Sequence, residues 1–282
     1  MGTMRIWFIT GASRGLGAKL VETILASGDG VVATARNPAV LVERFGDQPN
    51  LLTARLDVTS EENCRAAVDA ALVRFGRIDV LVNNAGFGML GAIEETSDAE
   101  ARKLYDTNVF GLLNVTRAVL PAMRLQGAGH IINMSSLGGY QATAGWGIYC
   151  SSKAAVEGIS EALQRECAPI GITVMIAMPA FFRSEFLEGN SLVQSETRIE
   201  NYKATVGAAR DYVAMSVSDP GKGQAGCSLD KLAEAIILAV RSDSPPFRLL
   251  LGRSALRRVA EKHANVDADV AGWRAVSEMV DG

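Results

Sequence analysis

The chain has 282 residues, 48% hydrophobic and 21% charged, with a formal net charge of −3. This allows a sizeable core in one large α/β domain or two small ones, and the near-balanced charge argues against nucleic acid or an anionic membrane as partner. Four scattered cysteines (Cys64, Cys150, Cys167, Cys227) without a CxxC, and only two histidines, His130 and His263, make a metal site or a disulfide framework unexpected. The chain runs straight into an apolar strand with no cleavable signal and has no run of 18 apolar residues, so a soluble cytoplasmic protein is expected.

Residues Arg5–Thr10 predict a short buried strand. It leads into Thr10-Gly11-Ala12-Ser13-Arg14-Gly15-Leu16-Gly17, followed by an amphipathic segment with Leu16, Leu20, Ile24 and Leu25 on one side. Glycine lets a backbone come close to a pyrophosphate, and a helix N-terminus offers free N–H groups and partial positive charge. Alone such a stretch is a plain turn; at the first strand–helix junction of an alternating chain it reads as a nucleotide cradle. The second strand, Val31–Thr34, ends at Ala35-Arg36. Folds that take NAD usually carry an acid here for the ribose 2′-OH. Arg36 and Arg14, with no carboxylate, suit a 2′-phosphate instead, so the expected cofactor is NADP(H).

A third strand, Leu51–Leu56, ends in Asp57-Val58, and Thr59-Ser60-Glu61-Glu62 opens a helix to about Phe75-Gly76. The fourth strand, Asp79–Val82, ends in Asn83-Asn84-Ala85-Gly86. The following Gly86-Phe87-Gly88-Met89-Leu90-Gly91 matches GxGxxG but opens no helix directly, so flexible turns are expected rather than a second dinucleotide site. Ser97-Asp98-Ala99-Glu100 caps a helix that carries Asn108, and a helical pattern continues to about Met123. His130–Met134 is the fifth strand, closing on Ser135-Ser136.

Tyr149 and Lys153 come next, four residues apart and so on one helix face. An ammonium beside a phenol lowers its pKa from about 10 towards neutrality. The result is a general acid for a carbonyl oxygen or a base for an alcohol. Of five tyrosines only Tyr149 has a lysine at this spacing; by itself such a pair is more often a half-buried aromatic beside a solvated lysine. Strand six is Gly171–Met178. Residues Glu185–Gly226 read as irregular and polar, a candidate substrate lid. A helix at Leu229–Val240, a seventh strand at Phe247–Leu251 and a helix from Ser254 to about Val280 follow. The last helix has Trp273 on its apolar side, and its Arg253, Arg257, Arg258, Lys262 and His263 read as a solvated face. The alternation predicts one doubly wound, Rossmann-like α/β domain over residues 1–282, with about seven parallel strands and helices on both faces.

Taken together, the glycine loop, Asp57, Asn83-Asn84-Ala85-Gly86, Asn108, Ser136 and Tyr149 with Lys153 resemble the short-chain dehydrogenase/reductase family in its NADP-preferring branch, from the first strand to about residue 185. The resemblance implies that Gly11, Ser13, Arg14, Gly15, Leu16 and Gly17 cradle the dinucleotide phosphates. Asp57 and Val58 would meet the adenine, and Asn84, Ala85 and Gly86 the ribose and nicotinamide side. Tyr149 would protonate a carbonyl oxygen as hydride arrives, and Ser136 would hydrogen-bond that oxygen. Lys153 would lower the Tyr149 pKa and hold the ribose, and Asn108 would hold a relay water. Pro179, Phe182 and Ser184 are assigned to the cofactor loop, Ser184 standing for the family threonine. Ala180 stands where the family has glycine; a positive φ there would cost alanine about 1 kcal/mol or more.

Leu137, Tyr140, Gln141, Trp146, Phe181, Phe182 and Phe186 form the expected substrate pocket. Their aromatic, apolar character points to an NADPH-dependent reductase of a bulky hydrophobic ketone, reversible to alcohol oxidation. The alternatives are a hydroxysteroid- or retinoid-type dehydrogenase working oxidatively, and a non-catalytic NADP-sensing regulator on the same fold. A homodimer or homotetramer is implied by the resemblance.

Overall fold

Short apolar runs become strands wherever both sheet faces are covered. In the computed structural model, which describes residues 4–180, 191–218 and 227–281, the strands are β1 (Ile6–Ile9), β2 (Gly30–Ala35), β3 (Leu51–Arg55), β4 (Val80–Asn83), β5 (Gly88–Leu90), β6 (Gly129–Met134), β7 (Ile172–Pro179), β8 (Leu192–Gln194) and β9 (Arg248–Leu251). Seven form one sheet in the order β3-β2-β1-β4-β6-β7-β9, with every neighbouring pair parallel. This is the doubly wound sheet the alternation predicts.

The helices are α1 (Gly15–Ala26), α2 (Ala39–Phe45), α3 (Glu61–Phe75), α4 (Asp98–Tyr105), α5 (Leu112–Gln126), α6 (Leu137–Tyr140), α7 (Gly147–Cys167), α8 (Ala208–Ser218), α9 (Leu229–Arg241) and α10 (Arg253–Glu278). Side chains alternate across a strand. Trp7 and Ile9 therefore pack with α1, α2 and α9 on one face. Ile6 and Phe8 pack with α3, α5 and α7 on the other. Caps read from sequence are made: Ser60 accepts the Asn63 N–H, and Ser97 with Glu100 forms a full capping box. From β1 the order runs to β2 and β3 on one side and to β4 and β6 on the other, so the loops after β1 and β4 part and open a crevice.

Two expectations are corrected. The stretch after Gly86 is not a set of flexible turns: Gly88–Leu90 is fully buried and pairs with Leu192–Gln194 in a second, two-stranded parallel sheet. Residues 191–218, read as irregular, carry β8, a 3₁₀ turn at Glu200–Tyr202, a π-turn at Lys203–Gly207 and α8. They are fastened by Glu95, whose buried carboxylate pairs with Arg210 at 2.7 Å and accepts the Ala92 and Ile199 N–H groups. The Arg210 hydrogen bond, opposed by burial and aided by those N–H groups, holds the Glu95 carboxyl down to about 2. In α10 only Ala255 is fully buried, with Val259 packed beside it, and Trp273, on the apolar side further along, is 66% exposed.

Candidate active site

The crevice begins at the glycine loop. Gly11 has φ +66°, and a Cβ on Gly17 would lie 2.4 Å from the Gly11 carbonyl oxygen, so neither position takes a side chain without displacement. Arg14 precedes α1 in extended conformation, and no side chain caps the helix. Its first-turn N–H groups thus suit an anionic phosphate. Asn84 locks the loop after β4 onto this one. Its side-chain amide donates to the Thr10 and Gly11 carbonyls at 2.9 and 3.1 Å. Thr10 Oγ1 accepts the Asn84 and Ala85 N–H groups.

A cleft of about 1360 Å³ runs along this edge of the sheet. Gly11, Ser13, Arg14, Gly15, Leu16, Gly17, Arg36, Asp57, Val58, Asn84, Ala85, Gly86, Ser136, Tyr149, Lys153 and Pro179 all line it. Strand order sets Arg36 and Asp57, after β2 and β3, towards one end and Ser136 and Pro179, at β6 and β7, towards the other. Glycine-lined backbone, an uncapped helix start and two arginines fit a dinucleotide. Phe181, Phe182, Ser184 and Phe186 lie outside the described residues.

At the far end, the first turns of α7 present Tyr149 and Lys153 on the buried face. The Tyr149 side chain and Ser136 line the cleft together. Ser136 is also the N-cap of α6, accepting the Gly138 N–H at 3.1 Å. Lys153 Nζ donates to the Met134 carbonyl at 2.7 Å and lies 6.0 Å from the Tyr149 ring centre. Burial pushes the Tyr149 hydroxyl well above its ordinary value, with the Ser136 hydrogen bond opposing it. Burial also pushes Lys153 down to about 8. Lys153 is not among the causes that shift Tyr149: desolvation dominates at both groups and disfavours both charged forms.

Asn108 differs from its expected place. It lies in a π-turn at Asp106–Gly111, buried behind the cleft wall. Its Oδ1 accepts the Phe87 N–H, and its Nδ2 donates to the Phe87 carbonyl and Ser152 Oγ. The side chain clamps the loop after β4 to α7. Of the pocket residues, Leu137 and Trp146 line the cleft, Trp146 meeting the Tyr149 ring edge-on at 5.9 Å. Tyr140 and Gln141 turn away, to His263 and Arg258 of α10.

The doubt over Ala180 is resolved locally. Its N–H donates to the Leu251 carbonyl, and no described non-glycine residue has positive φ. Gly252 takes φ +108° beside it, where a Cβ would lie 3.2 Å from the Ala180 methyl. Thr143, Cys150 and Arg258 were not expected on the cleft wall, and Ser191, Leu192, Val193, Ala209 and Tyr212, which also line it, fall in the segment expected as a lid. They carry no local motif and reach the cleft only through tertiary packing. Among the described residues no cluster of His, Cys, Asp or Glu is placed to hold a metal, and no helix is long and apolar enough to cross a membrane.

A family model described as short chain dehydrogenase matches residues 5–193. The chain belongs to the short-chain dehydrogenase family. Among its relatives, oxidoreductase BOA17 of Botryotinia fuckeliana is 36% identical over 276 residues, covering 97% of this chain and 98% of that one. The 3-ketodihydrosphingosine reductase of Bacteroides thetaiotaomicron is also 36% identical, over 88% of each chain. A short-chain dehydrogenase from Streptomyces avermitilis superposes with a TM-score of 0.89 at 38% identity, covering 99% of this chain and all of that one. As a short-chain dehydrogenase the protein is an oxidoreductase acting on a small-molecule substrate.

Proposed function

We propose that this short-chain dehydrogenase is an NADPH-dependent reductase of a bulky, largely apolar ketone, reversible to alcohol oxidation. The observation that carries the reading is Tyr149 beside Ser136 and Lys153 at the end of a cleft that starts in a glycine cradle. The bound dinucleotide supplies hydride. Tyr149 Oη gives its proton to the substrate oxygen, and Ser136 Oγ donates a second hydrogen bond to the charge developing there. Lys153, anchored on the Met134 carbonyl, is set to hold a ribose hydroxyl. Asn108 acts as a positioning residue through Phe87 and Ser152. Arg14 and exposed Arg36 grip a 2′-phosphate as guanidinium forks.

Burial keeps the Tyr149 hydroxyl protonated at neutral pH, the form that a proton donor to a carbonyl oxygen needs. Leu137, Trp146, Leu192, Val193 and Tyr212 give the substrate end its apolar wall. The last three support reading the segment 185–226 as a lid. The similarity to a 3-ketodihydrosphingosine reductase is in keeping with a long apolar ketone. The reading includes a cytoplasmic homodimer or homotetramer.

The test follows NADPH and NADH absorbance with a panel of ketones. NADPH oxidation with bulky apolar ketones is expected. Arg36→Asp should move the NADPH-to-NADH ratio of kcat/KM towards NADH by about tenfold or more. An unchanged ratio contradicts the 2′-phosphate assignment, and activity confined to small charged ketones contradicts the substrate class.

A further inference from the structure

We infer that Arg258 forms an anion-binding subsite in the substrate end of the cleft, so that the apolar ketone also carries a carboxylate or a similar anionic group. The inference rests on the reductase reading and adds the substrate's chemical class.

The first turns of α10 are the part of that helix that is packed. Ala255 is fully buried, and with Val259 it joins Leu137 and Ala180 in a small apolar cluster. This seats Arg258 on the cleft wall, where the sequence suggested a solvated face. Its guanidinium is oriented by neutral acceptors. Nε donates to Gln141 Oε1 at 2.8 Å, and Nη2 donates to the Gln141 carbonyl at 3.3 Å and Thr143 Oγ1 at 3.1 Å. Arg257 and Arg274 of the same helix pair with Glu261 and Glu278. Among the described residues no carboxylate comes within ion-pair distance of Arg258, and no acceptor meets its Nη1.

A half-buried guanidinium that meets no carboxylate among the described residues is costly to hold in place unless an anion completes it. Three neutral hydrogen bonds fix the plane of the fork, and the Nη1 edge is left to donate. The position is close to the chemistry. Thr143 and Cys150 line the same wall, and Cys150 adjoins Tyr149 in the chain. Around them the wall is neutral and apolar: Leu137, Trp146, Leu192 and Val193. Lys103 and Asp106 also line the cleft. A ketone with its oxygen at Tyr149, an apolar body and an anionic group at Arg258 satisfies all three parts of this surface.

The test uses the full chain with NADPH and matched pairs of apolar keto acids and their methyl esters. The wild type should favour the acid by about tenfold or more in kcat/KM, through KM. Arg258→Met should collapse the acid-to-ester ratio towards one, and Arg258→Lys should restore part of it. A wild type that does not distinguish acid from ester overturns the inference, as does an equal loss on both substrates in Arg258→Met. Calorimetric titration with a saturated medium-chain carboxylate and its methyl ester gives a readout independent of turnover. Tighter binding of the carboxylate, weakened by salt and lost in Arg258→Met, upholds the subsite even if no ketone is reduced, in which case the reductase reading alone falls. Ester reduction without any preference for the carboxylate upholds the reductase and removes the subsite.

Discussion

Gly17 shows how tightly single residues define the cofactor end of the cleft. A methyl there would sit 2.4 Å from the Gly11 carbonyl oxygen and 2.6 Å from Asn84 Nδ2, so Gly17→Ala must push apart the two loops that Asn84 ties together. The expected result is a loss of NADPH affinity of about tenfold or more and a stability cost of roughly 1–3 kcal/mol, as for other overpacked sites. Fluorescence titration and denaturant unfolding would measure these; an alanine variant that binds NADPH as tightly as wild type would show that the loop yields. This constraint was legible in the sequence because it is local to one strand–turn–helix. Arg258 was not legible: its partners Gln141 and Thr143 lie more than a hundred residues upstream, and spacing along α10 reads only as a solvated stripe. The Tyr149–Lys153 pair lies between these cases. Its spacing was evident, but the sign of the Tyr149 shift was not, because that depends on how deeply the fold buries it.

Among the elements, residues 191–218 are fastened by one buried ion pair, Glu95 with Arg210. Glu95 has its folded-state pKa held to about 2, below the ordinary 4.5. A depressed carboxylate contributes stability that is present above its unfolded pKa and is lost as pH falls through the folded one. Hydrogen exchange across residues 191–218 should therefore speed up relative to the sheet as pH drops from about 5 towards 2. Glu95→Gln should produce that loosening already at neutral pH, because Arg210 is left buried without its partner, at a cost of about 3–5 kcal/mol. Protection of this segment that is indifferent to both changes would mean that β8 and α8 hold it without the pair. The strands of the main sheet and the capped helices could be read from apolar runs and hydroxyl caps. The pairing of Gly88–Leu90 with Leu192–Gln194 could not, since it joins segments a hundred residues apart and one of them imitates a glycine fingerprint. The π-turn that carries Asn108 has no distinct sequence pattern either, so the buried clamp on Phe87 emerged only from the fold.

On the scale of the whole molecule, two apolar layers fix the parallel sheet, and every loop assigned to the cofactor opens on one edge. The distal part of α10 lies outside those layers, with Val266, Val270 and Trp273 between 46% and 66% exposed along one side. Arg253, Arg257, Glu261 and Lys262 lie in its first half, and Asp267, Asp269, Arg274 and Glu278 in its second. Two copies laid antiparallel would match these charges and cover the apolar side, in keeping with the proposed homo-oligomer. Sedimentation should give a mass above one chain at micromolar concentration, and Trp273→Asp should lower it. A mass unaltered by this change would assign the contact to another surface.

The central claim is that Tyr149 is the proton donor to a ketone oxygen. Its most direct measurement is NADPH consumption by wild type and Tyr149→Phe at neutral pH, on the best ketone of the panel, with thermal melting to show that both are folded. Removing a general acid should cut the rate by about 10²- to 10⁴-fold while the variant melts as wild type does. Equal NADPH consumption by the two proteins would contradict the account.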